Sequence, residues 1–171
     1  MVEYQTLSIV LTGIGMIIAL TYYGLQIRNQ NLARKAQTYM QLFNVETSRA
    51  FHSSEIDINR LDVSDPERLL DQMRADKELL ISWRSFFFRS DGIGAMIKSG
   101  LLDPEMIFHF GIGTGPIMTW KRWKPYIEWM RERMNAPDYL AGVEIYANEM
   151  MRLRRERGYS TEWSLEENRW L

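Results

Sequence analysis

Few side chains in this sequence could bind a metal ion or act as a nucleophile. There are two histidines, His52 and His109, and no cysteine, which excludes thiolate chemistry and disulfides. Glu105 and His109 are four residues apart on a predicted helix, so both side chains could reach one metal ion. No second such pair occurs, whereas a helical di-metal site takes about six ligands from four helices. A half-buried histidine beside a carboxylate is the simpler interpretation, and we expect no metal.

Other local patterns fall short of a catalytic or ligand-binding motif. The segment "GIGTGP" (111–116) lacks the GxGxxG or GxxxxGK spacing of a phosphate loop, and no predicted strand precedes it. The segment "RSDGIG" (89–94) lacks the alternating acidic positions and closing glutamate of a calcium loop. A nucleophile needs a base beside it, and the two histidines do not indicate any particular set of nucleophile, base and acid. We therefore assign no catalytic residue and no cofactor. The sequence supports an enzyme less well than a binding or scaffold protein.

Aromatic and basic residues alternate in the segment "WKRWKPYIEW", which could contact an anionic membrane surface or a partner. Alternatively, its tryptophans lie at core spacing and only its cations face water. The residues concerned are Trp120, Lys121, Arg122, Trp123 and Lys124.

The last residues, 159–171, form a predicted C-terminal tail that follows the final helix. Trp163, Trp170 and Leu171 stand there among acidic residues, with few apolar neighbours in the sequence to bury them. This tail is a candidate arm for binding another subunit. The alternatives are disorder and packing against its own domain.

The N-terminal segment is long and uncharged. Between Glu3 and Arg28 there is no acidic or basic side chain. A helix from Tyr4 to Ile27 would be roughly 36 Å long, which exceeds the hydrocarbon core of about 30 Å. A cleaved signal peptide would have a basic start and a shorter apolar run, so residues 1–28 are predicted to be a transmembrane anchor. A buried core helix is the alternative.

The flanking charges predict an orientation for this anchor. Arg28, Arg34 and Lys35 follow it, whereas Glu3 is the only charged side chain before it. Because basic flanks remain in the cytoplasm, we expect a single-pass protein of the cell membrane with its N-terminus outside. The helical domain at 29–158 would then be cytoplasmic.

Small and polar residues recur every three or four positions along the anchor and continue beyond it. Such a stripe lets a second transmembrane helix approach closely, and polar side chains are costly against lipid. The partner would be another copy or another membrane subunit. The predicted association seam contains Ser8, Thr12, Gly15, Ala19 and Gln26.

The rest of the chain predicts an all-α domain, with the anchor helix continuing toward Phe51 and into a bundle of about four to six helices. Residues 51–63 are rich in Ser, Asp and Asn and predict a connection. A capping box from Ser64 to Glu67 predicts the next helix start. Pro125 predicts a kink or break inside a later helix. No period-2 run predicts a strand.

Three segments resemble a family of short, uncharacterised bacterial and archaeal proteins. The segments are "YYGLQIRNQNLARKAQ", "FFFRSDGIGAMIKSGLLDPEMIFHFG", and "KPYIEWMRER" with its preceding tryptophan. The resemblance extends to about Met151 and implies one N-terminal transmembrane helix followed by a small helical cytoplasmic domain. It implies no substrate, cofactor or catalytic residue.

Two functions remain open on these observations. The first is a membrane-anchored accessory or scaffold subunit that acts through protein–protein contacts. The second is a membrane-tethered sensor whose domain binds a small ligand or an anionic lipid headgroup. The chain has a formal net charge of -1, so nucleic acid is not expected as a partner.

Overall fold

The computed structural model describes residues 2–109 and 113–162, which contain seven helices and no strand. The predicted all-α fold is confirmed. Internal packing divides the chain into two units, Met1–Asn44 and Val45–Leu171. The helices are α1 (Val2–Glu46), α2 (Arg49–Asn59), α3 (Pro66–Ala75), α4 (Lys77–Lys98), α5 (Pro104–Ile107), α6 (Gly115–Met134) and α7 (Ala141–Glu156).

The first helix ends earlier than the sequence predicted. α1 stops at Glu46, and Ser48 adopts an extended conformation with ψ 143°. Its hydroxyl accepts a hydrogen bond from the Phe51 backbone N–H at 3.3 Å, which caps the start of α2. The predicted connection at 51–63 is therefore wrong over most of its length. Ile58, on α2, is buried in the bundle core, so tertiary packing stabilises a helix in this polar segment.

Two other local predictions differ from the structure by small amounts. α3 is capped by Asp65 rather than Ser64, and the Asp65 carboxylate accepts a hydrogen bond from the Arg68 N–H at 3.1 Å. α6 continues through Pro125 without a break. Trp123 and Ile127 on either side of this proline are fully buried, so core contacts support the helix where one backbone donor is missing.

An aromatic cluster forms the core of the second unit. Phe87 packs against both Trp83 and Trp123, with ring centroids 4.9 Å apart in each pair. Tyr126 completes the group at 5.7 Å from Trp123. These rings come from α4 and α6, so burial of their large apolar surfaces stabilises the bundle by joining distant parts of the sequence.

The helix α4 is central, because it packs against α2, α3 and α7. It approaches α7 closely at Gly94, where an added Cβ would lie 1.8 Å from the Gly142 carbonyl oxygen. At the same crossing, the Asp91 carboxylate accepts a hydrogen bond from the Gly142 N–H at 2.7 Å. Asp91 therefore caps the N-terminus of α7 from a neighbouring helix, where α7 has no side-chain cap of its own.

Candidate interaction surfaces

The part of α1 between Glu3 and Arg28 carries no charged side chain on any side of the helix. The segment Ser8–Val45 contains an 18-residue window with mean hydropathy 1.7, none of which is buried. This one helix is therefore both long enough and apolar enough to cross a membrane. Thr12 and Thr21 donate their hydroxyls to the carbonyls of Ser8 and Ile17, both at 2.8 Å. These bonds satisfy the hydroxyl donors within the helix, which suits an apolar surrounding.

The residues of the association seam all lie on the exposed surface of α1. Nothing lies within 4 Å of the position that a Cβ would take at Gly15. Gly13 is equally open and points to the other side of the helix, because two residues correspond to about 200° of rotation. The seam is thus accessible to a second helix along its described length.

The aromatic–basic segment separates into two groups in the structure. The side chains of Trp120 and Trp123 are buried, with 6% and 0% exposure, which agrees with the core interpretation of these two residues. Lys121 and Lys124 are exposed, and Arg122 is half-buried. In this fold, contacts between the segment and a membrane or partner would be made by the cations and not by the indole rings.

A groove of about 710 Å³, the α2–α6 groove, lies between the end of α2 with the residues that follow it and the start of α6. Arg122 crosses it and donates a hydrogen bond to the Leu61 carbonyl at 2.6 Å. The Ser64 backbone N–H, which donates to Asp62 at 3.0 Å, lowers the pKa of Asp62, and the nearby Arg68 and Arg122 act in the same direction. The groove therefore has charges of both signs beside apolar side chains. Its lining comprises Glu55, Ile56, Asn59, Arg60, Leu61, Asp62, Val63, Gly115, Met118, Thr119 and Arg122.

The chain after α7 packs against its own domain at 159–162. The Tyr159 ring stacks on Phe108, with centroids 6.5 Å apart and planes 6° from parallel. Arg154 donates to the Ser160 carbonyl at 2.8 Å, and Lys121 donates to the Thr161 carbonyl at 2.6 Å. The start of the tail is thereby fixed on α6 and α7. The residues proposed for partner binding, Trp163, Trp170 and Leu171, lie outside the described part of the chain.

The residues considered for metal binding are placed differently from the sequence hypothesis. Glu105 forms an ion pair with Arg157, so its carboxylate interacts with a cation of the protein itself. Within residues 2–109 and 113–162, no group of three or more His, Cys, Asp and Glu side chains is arranged to hold a metal ion. The structure gives no geometric support to the Glu105–His109 pair as a metal site.

Sequence reasoning missed both the Asp91 cap and the α2–α6 groove. Each depends on residues far apart in the chain: Asp91 and Gly142 differ by 51 positions, and Arg122 and Leu61 by 61. The one available signal was Gly142, a glycine inside a segment whose apolar residues recur at helical spacing. A glycine in such a pattern often has a packing reason.

Comparison with known families places the chain in an uncharacterised group. Residues 9–150 match the model of DUF4760, a domain of unknown function, and the chain belongs to this family. This confirms the resemblance to an uncharacterised family. No curated protein and no solved structure matches the chain. The matched region includes most of α1 and the bundle through Met150, and it excludes the tail.

Proposed function

We propose that this protein is a membrane-anchored helical accessory or scaffold subunit that acts through protein–protein contacts. One observation supports this proposal above the others: the apolar window of α1 is unburied, while the second unit has a closed aromatic core of its own. Since the bundle needs no further apolar helix to complete its core, α1 is available for lipid and for other transmembrane helices. The assembly is a membrane complex or a homo-oligomer.

The proposed location is the cell membrane, with the N-terminus outside and the bundle in the cytoplasm. The asymmetry of Arg28, Arg34 and Lys35 against Glu3 supports this orientation. Because the chain has no cysteine, single introduced cysteines report it cleanly. In intact cells, a membrane-impermeant maleimide should label Tyr4→Cys and should label Lys98→Cys only after permeabilisation. The reverse labelling pattern would invert the topology.

The proposed contact within the membrane is the seam formed by Ser8, Thr12, Gly15, Ala19 and Gln26. Small side chains allow two helix backbones to approach, and Gln26 gains a polar partner that lipid cannot provide. The 4,3,4 spacing of the first four residues keeps them on one face of the helix.

The experiment is affinity purification of the tagged full-length protein in mild detergent, followed by determination of the particle mass. We expect a stoichiometric particle larger than the monomer. Gly15→Ile should lower its mass, whereas Gly13→Ile, on the other side of α1, should not. If both variants retain the wild-type mass, the seam is not the contact, and a monomeric wild-type particle would refute the scaffold proposal.

A second candidate function is that of a membrane-tethered sensor, and the α2–α6 groove supports it. Gly115 of the "GIGTGP" segment and Arg122 of the aromatic–basic segment both line this groove. Arg122 could exchange its bond to the Leu61 carbonyl for one to an anionic headgroup. Full-length protein in micelles doped with phosphatidylglycerol should then unfold at a higher temperature than in neutral micelles. The difference should disappear in Arg122→Gln and persist in the exposed-site control Lys124→Gln.

A further inference from the structure

An uncharged face of α4 is exposed to solvent on the bundle. Its residues recur every three or four positions, which places them on one side of the helix. Two of them are large and apolar, with Phe88 55% and Ile81 46% exposed. The others are small and leave shallow surface between these two side chains. We define the α4 outer face as Ile81, Ser85, Phe88, Gly92, Ala95 and Ser99.

The two glycines at 92 and 94 in α4 differ in their surroundings. Gly94 is required by the crossing with Gly142, because a Cβ there would overlap the backbone of α7. Gly92 has nothing within 4 Å of its Cβ position, so no contact among the described residues requires a glycine. Glycine inside a helix costs about 1 kcal/mol relative to alanine. Close approach by another chain would account for Gly92.

The charges along one rim of this face are mainly basic. Lys77, Arg84 and Lys98 are exposed and recur at multiples of seven residues, and they form no ion pair within the described ranges. Asp91 is the acidic member of the row, and its carboxylate is already bonded to Gly142. The rim therefore favours an occupant that is acidic and carries large apolar side chains.

Residues 163–171 of this chain have that chemistry. They contain two tryptophans and two leucines, which are the large side chains that shallow, small-residue surface can accommodate. Glu166 and Glu167 follow Glu162, and Arg169 is the one basic residue of the segment. An anionic bilayer would also be attracted by the rim. However, four of the six positions of the α4 outer face are small and offer little apolar surface to insert into lipid.

The tail is attached to the bundle at a place other than the α4 outer face. Tyr159, Ser160 and Thr161 are fixed on Phe108, α6 and α7. On α4, Asp91 and Gly94 meet α7, and they lie about 60° and 120° around the helix from Phe88. The α4 outer face therefore lies beside the side of α4 that packs against α7, and the tail begins on other elements of the bundle.

We propose that residues 163–171 of a second copy of this chain bind the α4 outer face. The tryptophans pack between Ile81 and Phe88 and over Gly92, and Glu166 and Glu167 lie along the basic rim near Arg84. This proposal rests on the homo-oligomeric form of the proposed function. It adds a contact outside α1 and names the segment that makes it.

The experiment uses two full-length variants with different tags, Ser85→Cys and Ser164→Cys, co-expressed and treated with a short bismaleimide. We expect a cross-linked dimer that carries both tags. Pairing Ser164→Cys with Ser53→Cys, an exposed position on α2, is the matched control and should give at least fivefold less product. Glu166→Lys with Glu167→Lys should reduce the Ser85–Ser164 product by a similar factor. Arg84→Glu with Lys98→Glu should restore it.

Each other outcome overturns the proposal in a distinguishable way. In a further variant that carries both Ser85→Cys and Ser164→Cys, cross-linking confined to a single chain means that the segment binds its own bundle. Equal products at Ser53 and Ser85 mean that the contact is not specific. No product in a particle whose mass is still oligomeric rejects this contact and leaves the scaffold proposal intact. No product together with a monomeric mass rejects both. Binding of the bundle to anionic vesicles that Phe88→Glu abolishes would assign the face to a membrane.

Discussion

The helix α1 and the bundle expose their apolar residues to opposite degrees. Ile17 and Leu20 in α1 are 65% and 67% exposed, whereas Trp123 and Ile127 in α6 are both 0% exposed. The two regions differ in their sequence pattern. Apolar residues surround α1 between Glu3 and Arg28, while α4, α6 and α7 are apolar mainly on the sides that meet one another. A helix that is apolar all round has no single face to bury and needs an apolar environment.

The polar groups of the two regions are satisfied differently as well. In α1, Thr12 and Thr21 bond to carbonyls four residues earlier in the same helix. In the bundle, polar contacts join distant residues, as when Arg131 donates to the Tyr139 carbonyl at 2.9 Å and to Glu144 at 3.0 Å. Thr12 and Thr21 thus bond within their own helix, whereas the bundle also contains side-chain bonds between helices. The following predictions test this contrast, starting with the largest effect.

The largest effect is expected at the crossing of α4 and α7. Gly94→Leu should destabilise the bundle by more than about 4 kcal/mol, because its Cβ would overlap the Gly142 backbone. Denaturation of the full-length protein in detergent, followed by tryptophan fluorescence, measures this loss. The control Gly92→Leu has open space and should keep its stability within about 1 kcal/mol. Equal stability of the two variants would contradict the described crossing.

A charge in α1 should affect membrane insertion but not bundle stability. Ile17→Lys places an ammonium group near the middle of the uncharged run, at a cost of about 2.5–3.5 kcal/mol for insertion. We expect a reduced membrane fraction after cell fractionation, with no such reduction for Ile17→Ala. The denaturation midpoint of the bundle should be the same in both variants. A lower midpoint in the lysine variant would show that α1 contributes to the bundle's stability.

The Asp91 cap should make a smaller contribution to the free energy of unfolding of the bundle, and this contribution comes from a tertiary contact alone. Asp91→Ala leaves the Gly142 N–H without its acceptor, so the bundle should lose about 2 kcal/mol. Asp91→Asn keeps an acceptor oxygen and should lose about half as much. Chemical denaturation curves of the three proteins give the values. An alanine variant as stable as the wild type would mean that water replaces the cap.

The smallest effect at neutral pH is expected at Tyr126. Burial raises the pKa of Tyr126 above its usual value of 10.0, so the folded state favours the neutral phenol. The resulting stability is complete below pH 10 and is lost as the pH rises further. Thermal melts between pH 8 and 12 should show a steeper alkaline loss for the wild type than for Tyr126→Phe. Parallel curves would mean that Tyr126 is not the responsible group.

Local pattern predicted much of the fold. Apolar residues recur at helical spacing near the end of the chain, and all of them are buried, with exposures between 0% and 3%: Leu140, Val143, Ala147, Met150 and Leu153. The start of α3 was predicted within one residue, because Pro66 and its neighbours carry a capping signal that needs no tertiary context. The exposed apolar helix was also predicted, since its composition alone defines it.

Other features could not be predicted because distant residues determine them. α2 has a polar sequence, and it forms where Phe51 stacks on Phe86 of α4 with ring centroids 5.6 Å apart. The tryptophans of the aromatic–basic segment had two interpretations, because a sequence shows their spacing but not which side of α6 the bundle covers. The seam of α1 and the tail remain predictions, since their proposed partners are other chains.

The pairing of α4 with α7 also determines when the bundle can fold during translation. The core cannot close until α7 has been synthesised, whereas α1 precedes every helix of the core in the chain. At about 5–20 residues per second, α1 leads α7 by several seconds. This apolar helix must therefore enter an apolar environment while the ribosome is still translating the rest of the chain.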